Sequence, residues 1–201
     1  IEAFVRHTAS WVDHHLIFDH KSTDGTRQIL EALQRESLAV TLYTDGSWAN
    51  LQQKRSNHLT RLAAQEFGAD WVMLLDADEI IVGPDPQDLK SRLTSVKADT
   101  PLSLRLRDYY PSESDNATEI NPVQRLRYCQ KVLSQTKKLI IPRSLALDDE
   151  VMAVKGSHAL HRGEQLLADQ ALPEEFHLAH LALRSPQHQV LRVVNAELHR
   201  L

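Results

Sequence analysis

Cysteine, long apolar runs and surplus positive charge are all scarce in this sequence, and each scarcity excludes a class of protein. The single cysteine, Cys129, permits no intramolecular disulfide and no zinc site built from several cysteines, which favours a reducing compartment. No apolar run approaches the roughly 18 residues that a membrane-spanning helix needs. The formal net charge of -4 leaves no basic surplus to neutralise phosphates, so nucleic acid is not expected as the main partner.

What is present is an ordinary globular composition. The 201 residues are 42% apolar and 25% charged, which is enough for one domain with its own core. The chain begins at Ile1 in a helix-like stretch and ends at Leu201 in another, so we expect an interior portion of a longer polypeptide.

Hydrophobic patterning predicts an α/β fold. Four short runs of apolar or alternating residues predict strands, at 15–18, 38–43, 71–75 and 102–106. Between them lie stretches in which apolar residues recur with the period of a helix. Later predictions are strands at 138–141 and 177–181, a loop at 112–122, an irregular stretch at 143–176 and a final helix after Ser185. The alternation predicts a single domain with a mostly parallel central sheet, in which 71–75 is a central strand, and with helices on both faces.

The most informative segment is the acidic one that follows the 71–75 run. Asp76, Asp78 and Glu79 come directly after an apolar strand, at the edge where open α/β sheets bind ligands. Asp76 and Asp78 are two residues apart, so on an extended backbone their side chains point the same way. Their oxygens suit Mn²⁺ or Mg²⁺, which binds a few carboxylates together with substrate phosphates. A solvated acidic turn is the alternative interpretation.

A second polar turn runs from Asp19 to Thr26, again just past a predicted strand. Its Asp24 is able to accept hydrogen bonds from a base or ribose, and the start of the next helix favours anionic groups. The alternative is a capped turn that binds no ligand.

Together the two segments resemble the family-two glycosyltransferases of the GT-A fold, in which one strand ends in Asp-x-Gly-Ser-Thr-Asp-Gly-Thr and a later one in Asp-Ala-Asp. Here Lys21 stands where the family more often has glycine. The matching residues elsewhere are Arg55, Asn57 and Ala64 on the connecting helix, Trp71 to Glu79, Gly156-Ser157-His158, and His180 with Arg184-Ser185-Pro186-Gln187. The last three sets are similar to a bacterial subgroup with a Trp-x-x-x-Leu-Asp-Ala-Asp-Glu motif, and the resemblance spans about residues 3 to 195.

The resemblance implies an enzyme that moves a sugar from a nucleotide-sugar donor to a hydroxyl of a saccharide or other acceptor, with inversion, in bacterial polysaccharide or glycoconjugate synthesis. It implies a donor-binding part over about 1–100, an acceptor part over about 101–201, and a first strand that would precede Ile1. The implied location is the cytoplasm, including the inner face of the membrane. Mn²⁺ or Mg²⁺ would be held by Asp76 and Asp78, and the donor would be contacted by Asp24, Arg55, Asn57 and Asp76. The Glu-Asp pair that supplies the base in many members is not evident in this sequence.

Late residues complete the predicted site. The resemblance implies that His180 is a ligand to the metal or the diphosphate, and Arg184 is a candidate diphosphate clamp because guanidinium matches phosphate oxygens. Structural or solvated roles are the alternatives for both. Asp108 is the candidate general base, since it ends a predicted strand beside Tyr109 and Tyr110, two residues able to stack on an acceptor sugar.

Two other functions fit the same residues. A sugar-nucleotide nucleotidyltransferase also uses a sheet and metal carboxylates, and its glycine-rich phosphate loop would lie on the strand upstream of Ile1. A non-catalytic sugar- or protein-binding domain of a larger assembly is the other alternative, and the intact Asp76 and Asp78 count against it. The donor's base and sugar, the acceptor and the oligomeric state stay open.

Overall fold

The fold is built around a sheet whose strands come mostly from the second half of the chain. The computed structural model describes residues 1–44, 52–154 and 156–182. The helices are α1 (Glu2–Thr8), α2 (Thr26–Arg35), α3 (Gln52–Gln65), α4 (Pro86–Ser95), α5 (Pro122–Arg125) and α6 (Arg143–Ala146). The strands are β1 (His15–Asp19), β2 (Val40–Thr44), β3 (Trp71–Met73), β4 (Glu79–Val82), β5 (Leu102–Tyr110), β6 (Tyr128–Cys129), β7 (Lys137–Pro142), β8 (Val151–Ala153), β9 (Leu160–Arg162), β10 (Gln165–Leu167), β11 (Gln170–Ala171) and β12 (His177–His180).

The principal sheet is mostly antiparallel and strongly curled into a half-barrel of five strands, in the order β3-β7-β5-β12-β4. Of its four neighbouring pairs, three are antiparallel and the β5–β12 pair is parallel. The short strands β6 and β11 add further pairings to β5. Two smaller sheets stand beside it: β1 pairs with β2 in parallel, and β8, β9 and β10 form an antiparallel sheet.

This topology corrects the prediction of a mostly parallel GT-A sheet. The 71–75 run, predicted as a central strand, contributes β3 at one end of the strand order, where it pairs antiparallel with β7. Alternation of strands with helices implies parallel pairing only if successive strands become neighbours. Here β4, which the pattern did not predict, follows β3 after a turn, and β7 runs in the opposite direction between β3 and β5.

The prediction of an irregular stretch at 143–176 is also wrong. This stretch contains α6, the small β8–β10 sheet and β11. Each of its strands has only two or three residues. Runs this short contain too few residues to show the alternation by which a strand is recognised in a sequence.

The two faces of the principal sheet carry separate hydrophobic cores. On one face the buried strand residues are Ile81, Leu102, Leu104, Leu106, Ile140 and Leu178, packed against Leu89 of α4, Trp11 and Phe176. Gly83 permits this close packing, because a Cβ there would lie 2.6 Å from the ring of Phe176. The opposite face carries two clusters, one shared with α1, α2 and β2, and one shared with α3, α6 and the β8–β10 sheet.

The connection between β3 and β4 requires the curl of the sheet. These strands lie at opposite ends of the order, about 19 Å apart on a flat sheet at four strand spacings. Five residues, Leu74 to Asp78, join them. The backbone N–H of Glu79 donates to the Asp76 carbonyl at 3.0 Å, and such a turn spans less than about 7 Å. The link therefore reaches across only if the sheet bends its two edges towards each other.

Within the described ranges, no helix combines the length and the apolar character needed to cross a membrane. Arg184 and the helix predicted after Ser185 lie outside the described residues.

Candidate functional site

The acidic segment forms the turn that closes the half-barrel. The expectation of an extended backbone at Asp76 and Asp78 is wrong, because the Glu79 N–H donates back to the Asp76 carbonyl. Asp76 is exposed and Asp78 is partly buried. The Asp78 carbonyl accepts a hydrogen bond from the N–H of Leu181 at 2.8 Å, which joins the turn to the residue that follows β12. One main-chain bond thus closes the turn, and a second ties it to the chain after β12.

A buried ion pair lies beneath this turn. The Nζ atom of Lys138 is 2.7 Å from Oδ2 of Asp76 and 3.3 Å from Oε1 of Glu79, and the side chains of Lys138 and Glu79 are each only 3% exposed. The other oxygen of Glu79, Oε2, accepts the backbone N–H of Asp76 at 3.0 Å. The Asp76 side chain, 49% exposed, therefore has a buried cation on one side and solvent on the other.

Burial controls the protonation of Glu79. Loss of hydration raises the pKa of its carboxyl group to about 7, and the neighbouring charges of Asp76 and Asp78 act in the same direction. Attraction to Lys138 and the hydrogen bond from the Asp76 N–H lower the pKa, but they do not offset the burial.

Asp108 and His180 form a second polar pair on the same face. Parallel pairing of β5 with β12 places the two residues opposite each other, and Nδ1 of His180 donates to Oδ1 of Asp108 at 2.6 Å. Both side chains are partly exposed, at 22% for His180 and 28% for Asp108. With the proton held on Nδ1, a neutral imidazole presents its Nε2 lone pair to a ligand or a proton.

Strand register unites the two pairs. His180 is the partner of Glu79 across the β12–β4 pair and of Asp108 across the β12–β5 pair, so the three side chains share one face of the sheet. Lys138 shares it too, because it is the partner of Leu104, four residues before Asp108 on β5. The face is concave, since the Lys138–Glu79 contact spans three strand spacings, about 14 Å on a flat sheet.

The structure therefore brings together four of the predicted site residues, Asp76, Asp78, Asp108 and His180, at one end of the curled sheet. Neither Lys138 nor Glu79 had a role in the predicted site. A signal for Lys138 was present: it begins the strand predicted at 138–141 and Lys137 directly precedes it, so on an extended backbone their side chains take opposite faces. If both faces are covered, such a lysine pair predicts a buried ammonium.

Three of the predicted donor contacts, Asp24, Arg55 and Asn57, lie on other elements than Asp76. Oδ1 of Asp24 accepts the N–H and the hydroxyl of Thr26 at the start of α2, and the hydroxyl bond is the main cause of its lowered pKa. Arg55 lies with its guanidinium carbon 5.2 Å from the centre of the Phe18 ring on β1. Asn57 binds the β8 backbone at both ends of its amide, accepting from the N–H and donating to the carbonyl of Ala153.

The donor set at the acidic turn suits a hard divalent cation. Among the described residues, no three His, Cys, Asp or Glu side chains are placed to hold a metal ion by themselves. Mg²⁺ and Mn²⁺ do not need such a cage, because one or two carboxylates together with substrate phosphates and water complete their coordination. A histidine whose second ring nitrogen donates to a carboxylate, as in the His180–Asp108 pair, is the arrangement typical of metal-binding imidazoles.

Comparison with known proteins adds no family to this geometry: no family model matches the chain, and no curated protein matches it.

Proposed function

We propose that this chain is a divalent-cation-dependent glycosyltransferase that uses a nucleotide-sugar donor. The observation that carries the proposal is the shared register of Glu79, His180 and Asp108 beside the Asp76–Asp78 turn. It gathers carboxylates and an oriented imidazole from three strands at one end of a concave face. The motif resemblance supplies the reaction class, and the geometry supports it by placing chemically suitable groups together.

Each residue has a distinct part in the proposal. Asp76 and Asp78 would hold Mn²⁺ or Mg²⁺, which when bound neutralises the leaving diphosphate. His180 would direct Nε2 towards the cation or the diphosphate, because Asp108 fixes its other nitrogen as a donor. Asp108 thereby acts as a positioning residue, and its carboxylate is less suited to be the general base, since one oxygen already accepts a short hydrogen bond.

The deciding experiment is a calorimetric titration with nucleoside diphosphates in the presence of Mn²⁺. We expect binding that disappears on adding a chelator and weakens at least tenfold, roughly 1.4 kcal/mol, in Asp78→Asn. Asp88→Asn is the matched control, because Asp88 is an exposed carboxylate in the first turn of α4. Binding that survives the chelator, or equal loss in both variants, would contradict the proposal.

Product analysis separates this function from its alternatives. Incubation with a panel of nucleotide-sugars should release nucleoside diphosphate, by transfer or by slow hydrolysis of the donor. Formation of a nucleotide-sugar and pyrophosphate from a sugar phosphate and a nucleoside triphosphate would instead identify a nucleotidyltransferase. Binding without any turnover, with every acceptor class tried, would indicate a binding domain.

A further inference from the structure

Lys138 supplies the cation that the acidic turn contacts in this structure. Its ammonium lies within 4 Å of two carboxylates, at 2.7 Å from Asp76 and 3.3 Å from Glu79. The side chain is 3% exposed, so the charge is held by the fold and is not one of several solvated positions of a mobile lysine.

This placement affects any ion that binds Asp76. Mn²⁺ or Mg²⁺ lies about 2.1 Å from a carboxylate oxygen, so an ion on Asp76 would be about 5 Å from the Lys138 ammonium. Repulsion between the two cations at that distance is strong near a protein surface. The negative charges of a diphosphate on the same ion would offset the repulsion, whereas water ligands would not.

We propose that Lys138 is a positioning residue that disfavours binding of the free metal ion and makes binding of the cation depend on the diphosphate. Without a ligand, the ammonium of Lys138 neutralises the Asp76 carboxylate. A metal ion binds there favourably only when it brings the negative charge of a diphosphate with it. This inference rests on the proposed function for the identity of the ligand, but its physical content is the competition of two cations for one carboxylate.

The neighbouring lysine provides a matched control. Lys137 lies on the same strand, one residue earlier, and its side chain takes the opposite face. There its ammonium pairs with Asp169. Replacing either lysine removes one positive charge from the protein, but only the replacement of Lys138 removes it from Asp76.

The experiment is a titration of the whole chain with Mn²⁺, followed by electron paramagnetic resonance, with and without inorganic pyrophosphate as the diphosphate probe. We expect Lys138→Met to bind free Mn²⁺ at least tenfold more tightly than the wild type. Lys138→Arg and Lys137→Met should stay within about twofold of the wild type, because both keep a cation at Asp76. Pyrophosphate should tighten Mn²⁺ binding at least tenfold in the wild type and clearly less in Lys138→Met.

Free Mn²⁺ affinity that does not rise in Lys138→Met, or that rises equally in Lys137→Met, would overturn the inference. Since loss of Lys138 leaves Glu79 buried without its partner, folding is checked by circular dichroism, and the double variant Glu79→Gln with Lys138→Met serves as a second test. It removes both buried charges, leaves the net charge unchanged, and should still gain affinity for free Mn²⁺.

The outcome is separable from that of the proposed function. A chain that shows the Lys138→Met gain but turns over no nucleotide-sugar would refute the glycosyltransferase and leave the cation competition standing. A chain that transfers sugar while Lys138→Met binds free Mn²⁺ no better than the wild type would refute the competition alone.

Discussion

Glu79 is a buried ionisable side chain beside the candidate site. Its carboxyl group is almost fully buried, and its two oxygens contact the Lys138 ammonium and the Asp76 N–H. Replacing buried ion pairs by apolar groups is often neutral or stabilising, so stability alone does not explain a Lys138–Glu79 pair. Its geometric effect is clear: Glu79 fixes the backbone of the turn and Lys138 fixes the Asp76 side chain.

The raised pKa of Glu79 predicts how stability depends on pH. A carboxyl group whose pKa rises from 4.5 when unfolded to about 7 when folded binds its proton more tightly in the native state. Its contribution is therefore most favourable below pH 4.5, is lost as the pH rises towards 7, and is constant above. As the pH rises from 5 to 8, we expect the contribution of Glu79 to the free energy of unfolding to fall by up to about 3 kcal/mol.

Urea unfolding of the wild type and Glu79→Gln at pH 5 and 8, with chelator present, measures this contribution of Glu79 to the free energy of unfolding. The free energy of unfolding of the wild type, relative to that of Glu79→Gln, should fall as the pH rises from 5 to 8. Glu164→Gln, at an exposed position, should track the wild type at both pH values. His15 and His177, whose pKa values are lowered by burial, are present in every protein and cancel from the comparison.

At the scale of single elements, the turn between β1 and α2 contains a strained residue. Lys21 has a φ of 58°, in the left-handed region that glycine adopts at no steric cost.

We therefore expect Lys21→Gly to be more stable than Lys21→Ala by about 1 kcal/mol. Both variants lose the lysine side chain and its contacts, but only alanine keeps the left-handed strain. Thermal or urea unfolding of the pair checks this, and equal stabilities would show that the turn relaxes to another conformation when Lys21 is replaced.

Elements with strong local chemistry could be predicted from the sequence, whereas their pairing could not. Asp85 directly before Pro86 is a local sequence signal for the start of a helix, and at the start of α4 Oδ1 of Asp85 accepts the Gln87 N–H at 2.6 Å. By contrast, Lys138 meets Asp76 across 62 residues of chain. Which strands become neighbours depends on such long-range contacts, and a local pattern of apolar residues does not encode them.

For the whole molecule, the position of β5 predicts a gradient of local stability. β5 lies at the centre of the principal sheet, with Leu102, Leu104 and Leu106 buried, whereas β10 is at the end of its small sheet and largely exposed. In native-state hydrogen exchange, amides of β5 should exchange only through global unfolding, and those of β10 through local opening at lower free energy. Equal protection of β5 and β10 would mean that the small sheet unfolds together with the half-barrel.

The link from Leu74 to Asp78 limits the separation of the two edges of the principal sheet. Its ends are held by β3 and β4, and its length sets how far those two edges stand apart. Asp76 and Asp78 are part of this link. Inserting a residue there would therefore change both the curvature of the sheet and the spacing of the two carboxylates. Among relatives of this chain, we therefore expect the side chains around the turn to vary more than its length.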